Sequence, residues 1–118
     1  PAQAGRERGT QTSVAISGTT FTLPLNTAQH FSIALAAACP CTMLNPSGMA
    51  NAVGQFGVLK ITQASAAVET LAWGANWKFQ QGLPPDLTIG GVNSVVYATY
   101  YVADTSSIVL MTIVVDVR

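Results

Sequence analysis

With 118 residues, 49% of them apolar, the chain suffices for one domain with one core, which excludes a disordered tail. Five cationic and five anionic side chains cancel to a formal charge of zero, so no nucleic acid and no anionic membrane is attracted by the summed field. Charged residues are 8% of the chain against an ordinary ~25%, so a folded surface of about 6,000 Å² is left almost without ions and calls for cover by other subunits.

Pro1 to Gly9 carries Arg6, Glu7 and Arg8 and no apolar periodicity. Residues 1–12 are therefore predicted as an extended arm, with those three as its partner-binding residues, and residues 13–118 as a single β domain. Pro1 is read as the residue left after removal of an initiator Met, and no basic segment followed by an apolar one marks a secretory signal. From Gly9 to Leu59 there are fifty-one positions without Lys, Arg, Asp or Glu, and His30 is the sole imidazole. Near-alternation from Thr10 to Leu25, with Val14 and Ile16 before Gly18 and Phe21, Leu23 and Leu25 after it, predicts a hairpin or bent strand pair. Phe31, Ile33 and Leu35 stand two apart with smaller residues between, which predicts a third strand; an Ala-rich helix over 28–38 is the alternative.

Pro40, Asn45-Pro46-Ser47-Gly48 and Gly54 predict a loop. Cys39-Pro40-Cys41 is too sparse for a disulfide framework, so both cysteines are read as small core or turn residues in a reducing cytosol. Gln55 to Thr62 alternates again, and Val68, Leu71 and Trp73 follow a small-residue connection, giving two more strands. Beyond the Gly82 to Pro85 turn, Val92 to Val102 and Ile108 to Val117 are dense in β-branched and aromatic residues and are joined by Ala103-Asp104-Thr105-Ser106, the clearest hairpin signal in the chain. Roughly seven or eight short strands and no segment that needs a helix predict an all-β fold, an antiparallel sandwich or jelly-roll-like barrel. The longest apolar runs, such as Ile108 to Val117, fall well below the ~20 residues of a membrane span.

The inventory for chemistry is thin. Outside the arm it holds His30, Cys39, Cys41, two lysines and four carboxylates. A Cys–His nucleophilic pair and a zinc site are conceivable from His30, Cys39 and Cys41, but Cys-x-Cys misses the usual zinc spacing. Gly54-Gln55-Phe56-Gly57 and Gly90-Gly91 lack the spacing and the Lys of a phosphate cradle. No catalytic residue, cofactor or metal is therefore expected. Trp73, Trp77 and Phe79 are spaced for one face of a strand, where they serve either as core or subunit interface or as a platform for sugar or protein.

Ile61-Thr62-Gln63, Trp77-Lys78-Phe79, Gly82, Pro84-Pro85, Leu87-Thr88 and Gly90 before a Val/Tyr strand together resemble a widespread virion module of tailed bacteriophages. In that module a strand ending in Gln leads to a Trp-Lys-Phe-like strand, a Gly-x-Pro-x-Leu-Thr turn and a final hairpin. Asn93-Ser94 departs from it, standing where an acidic residue is common. The resemblance implies a β-structured homotrimer displayed on a virus particle assembled in the bacterial cytoplasm, with Gly82, Pro84, Pro85 and Leu87 as a structural turn. The short charged arm suits a capsid-bound decoration or cement protein, whose partner is the major capsid protein. The alternative is a fibre tip that meets a host cell-surface receptor.

Overall fold

A period-two pattern fixes which face of a strand is buried, while the route of the chain fixes which strands pair. The computed structural model describes residues 11–16, 18–35 and 39–117, so the arm residues Arg6, Glu7 and Arg8 lie outside the described residues. The chain is mostly β. Its strands are β1 (Gln11–Val14), β2 (Thr20–Phe21), β3 (His30–Ala34), β4 (Cys41–Met43), β5 (Phe56–Thr62), β6 (Leu71–Trp73), β7 (Trp77–Lys78), β8 (Val95–Asp104) and β9 (Ser107–Val117). Six form a mixed sheet in the order β1-β3-β5-β8-β9-β7, and three form a second sheet in the order β2-β4-β6.

As far as β6 the chain alternates between the two sheets, so β1, β3 and β5 stack in parallel in one and β2, β4 and β6 in the other. The result is a flattened coil in which each turn contributes one strand to each sheet. The long β8–β9 hairpin then lays β8 antiparallel on β5, and β7 runs parallel to β9 at the far edge.

This corrects the antiparallel expectation, because alternation looks the same in parallel and antiparallel strands. It also corrects the predicted hairpin over Thr10–Leu25: β1 and β2 belong to different sheets and do not pair. The stretch read as a loop after Pro40 contains β4, with Cys41 and Met43 buried; three residues are too few to show a period. Cys39 and Cys41 are not free thiols but a disulfide, their Cα atoms 4.2 Å apart on either side of Pro40. The β3 strand and the β8–β9 hairpin form as predicted, although β8 starts later and runs on through Ala103 and Asp104, leaving Thr105-Ser106 as the turn.

One apolar cluster joins the inward residues of both sheets: Phe21, Cys41 and Met43 from the smaller, with Leu23 just after β2, and Phe31, Ile33, Leu59, Ile61, Tyr100 and Ile108 from the larger. Burial of each such side chain contributes about 1.5–3 kcal/mol. No helix among the described residues is long and apolar enough to cross a membrane.

Candidate functional site

Trp73, Trp77 and Phe79 meet in space but do not share a strand. Trp73 ends β6 of the small sheet, and Trp77 opens β7 at the edge of the large one. Between them the chain turns, held by the Gly74 amide donating to the Met43 carbonyl and the Asn76 amide donating to Asn45 Oδ1 at 2.8 Å. Trp73 packs edge-on against both partners, its ring centroid 5.2 Å from Trp77 and 5.3 Å from Phe79. Trp77 is 3% exposed and its Nε1 donates to the Leu44 carbonyl, so it is a core residue and no sugar platform.

The turn that follows is built around Gln63 as much as around its own glycine and prolines. Gly82 sits at φ +73°, where a side chain would be strained, and Leu87 is buried beneath the turn. Pro84 and Pro85 lie outside any strand, consistent with their missing donors. Gln63, itself buried, donates through Nε2 to the carbonyls of Leu87 (2.9 Å) and Glu69 (3.0 Å). Its Oε1 accepts from the amides of Ala64 (2.9 Å) and Glu69 (2.8 Å). Residues that carry the phage resemblance thus organise this end of the fold.

Two carboxylates stiffen exposed turns. The Thr88 hydroxyl and amide hold the Asp86 carboxyl below its ordinary value of 3.8, and the Ser106 amide does the same for Asp104. A carboxyl lowered in the folded state supports stability above its unfolded value, and that support is lost as pH falls through the folded value. The urea midpoint is therefore expected to be level near neutrality and to drop below about pH 3.8. Replacing both Asp86 and Asp104 with Asn should flatten that drop, as read from urea melts at pH 2 to 7.

The least protected feature is the outer edge of β9. The two residues of β7 pair with Ile108 and Val109, and beyond them no strand among the described residues lies against β9. There the chain exposes Met111 (52%), Ile113, Val114 and Val115, and register shifts on β9 bend the edge. Beside it lies a groove of about 460 Å³ walled by Phe79, Leu83, Leu110, Met111 and Ile113 together with Gln80 and Gln81, with no charged side chain in its lining. Leu83 is 68% exposed. Edges of this kind are ordinarily guarded by charge or cover, and contiguous apolar surface marks a contact. Sequence reading missed this site, because nothing in the sequence marks the Trp77–Lys78 strand as only two residues long beside the long apolar run it borders.

A second depression, of about 300 Å³, lies on the outward face of the large sheet between Gln11, His30, Lys60 and Tyr97. The Cys–His pair that the sequence left conceivable does not form: both cysteines are in the disulfide, and His30 Nδ1 accepts the Val58 amide at 3.1 Å. Among the described residues no group of three or more His, Cys, Asp or Glu could hold a metal. No protein-family model, curated protein sequence or solved structure matches the chain.

Proposed function

We propose that this chain is a structural subunit of a bacteriophage virion, a capsid-bound decoration or cement protein that works as a homotrimer of two-sheet β domains. The observation that carries the reading is the uncovered β9 edge with its uncharged groove, on a chain whose net charge is zero. Symmetric association covers such edges without charge. The phage-like residues Gln63, Trp77, Gly82 and Leu87 support it as well, since all of them serve the fold. The arm with Arg6, Glu7 and Arg8 is the segment proposed to meet the major capsid protein.

Native mass measurement tests the assembly. The wild type should be a trimer, and Met111→Lys, which places a cation in the groove, should shift it to single copies with an unchanged circular dichroism spectrum. A wild type that stays a single copy at high concentration overturns the reading. Removing residues 1–9 should then abolish attachment to particles while leaving the trimer intact; undiminished occupancy would count against the cement role.

One observation favours the fibre tip as a second reading. Among the described residues the first strands of the coil, β1 and β2, each lie at the edge of their sheet, the arrangement on which a further turn of the same coil could stack. Purified protein would then compete with virions for host cells, and no protection at saturation would remove this reading.

A further inference from the structure

We propose that the outward face of the large sheet binds a carboxylated saccharide, with Lys60 meeting the carboxylate and Tyr97 lying against a sugar ring. This site does not depend on the virion reading. In the β5–β8 ladder Lys60 stands directly opposite Tyr97, and in the β1–β3 ladder Gln11 stands opposite His30. Their strand neighbours Phe31, Leu59, Ile61, Val96 and Ala98 are buried, so Lys60, Tyr97 and His30 share the opposite, outward face. The depression between them, about 300 Å³, is at the small end of ligand pockets and suits one sugar ring.

Phe31 and Val58 form the apolar part of its wall, and each of its polar side chains can donate. Because His30 Nδ1 accepts the Val58 amide, the neutral imidazole carries its proton on Nε2 and is a donor there. Lys60 offers three donors, and the Tyr97 hydroxyl and Gln11 amide offer more. Such a set fits an acceptor-rich ligand. Charge then selects among acceptors: on the outward positions of β1, β3 and β5, and of β8 from Val95 to Tyr101, Lys60 is the only ionised side chain. A cation at the centre of these positions favours an anionic ligand.

Aromatic surface extends the site. Phe56 (61% exposed) and Tyr101 (40%) form a cross-strand pair on the same face, four residues along β8 from Tyr97, a distance of about 14 Å. Exposed rings separated by donors suit the apolar faces and hydroxyl edges of an oligosaccharide. The β9 groove, mostly apolar and free of charged side chains, suits protein packing instead. The sugar platform that the sequence suggested for Trp77 thus falls to Tyr97, Tyr101 and Phe56, because Trp77 is core.

The test is a titration of the full chain with tetragalacturonate and with its methyl ester, which has the same skeleton without the charge. Tetragalacturonate should bind, with backbone amide shifts confined to β3, β5 and β8. The ester should bind at least tenfold more weakly. Lys60→Gln and Tyr97→Ala should each weaken acid binding at least tenfold while leaving circular dichroism and oligomeric mass unchanged. Absence of binding, equal affinity for acid and ester, or indifference to both variants would overturn the site. Met111→Lys should leave saccharide binding intact, so failure of the assembly reading and failure of this one are told apart.

Discussion

Gln63→Leu should destabilise the fold by about 3–5 kcal/mol, read as a fall in the urea midpoint without loss of cooperativity. The glutamine closes a small ring of backbone: its amide binds two carbonyls, Leu87 and Glu69, and its oxygen binds two amides, Ala64 and Glu69. Leucine fills a similar volume and makes none of these bonds, leaving four backbone groups to find water from a largely buried position. Each unmet buried group costs about 1–3 kcal/mol, and partial access to solvent near Glu69 moderates the sum. Gln63→Glu separates hydrogen bonding from volume. It keeps both accepted bonds but sets a carboxylate against the Leu87 and Glu69 carbonyls, so its deficit should be intermediate near neutrality. That deficit should shrink as acid protonates the new carboxyl and restores a donor. A Leu variant within 1 kcal/mol of wild type would show that the clip is dispensable.

What the sequence conveys and what it conceals divide along a physical line. Alternation in Phe31-Ser32-Ile33 reports burial, a local property, and the large residues read on one face there are the buried ones. Pairing partners depend on which distant strand the chain passes, and nothing local distinguishes β1 beside β3 from a β1–β2 hairpin. Trp73, Trp77 and Phe79 share a spacing, yet the turn held by Asn45 puts Trp73 and Trp77 in different sheets and leaves Phe79 beyond the end of β7. The same limit governs the sites. Lys60 and Tyr97 are thirty-seven positions apart in sequence and face each other only through the β5–β8 register. The β9 edge is apolar in sequence like a core strand, and it is exposed only because β7 stops after two residues.

The second large effect is expected from a single methyl group at Gly57. The backbone there has no need of glycine for its dihedral angles; what it lacks is room. A Cβ on Gly57 would fall well inside contact with the Gln29 carbonyl oxygen and 3.0 Å from the Tyr100 hydroxyl. Neither neighbour can yield cheaply. The Gln29 carbonyl accepts the Tyr100 hydroxyl at 2.6 Å, the Gln29 side chain donates to the Phe56 carbonyl at 2.8 Å, and Gln55 donates to both the Ala28 carbonyl and the Tyr100 hydroxyl. Tyr100 itself is fully buried, and that burial pushes its phenol above the ordinary value despite the amide that Gln55 donates. Ordinary overpacking costs about 1–3 kcal/mol, but here the methyl group meets backbone that is pinned by hydrogen bonds on both sides. Gly57→Ala should therefore cost on the order of 4–5 kcal/mol, a large share of the ~5–15 kcal/mol that holds a domain of this size together. Tyr100→Phe, which removes the hydroxyl and leaves the backbone in place, should cost about 1–3 kcal/mol. In the double variant the two losses should add to less than their sum, because the phenyl ring vacates part of the space the methyl group needs. Strict additivity in urea melts would show that the methyl group strains something other than this ring.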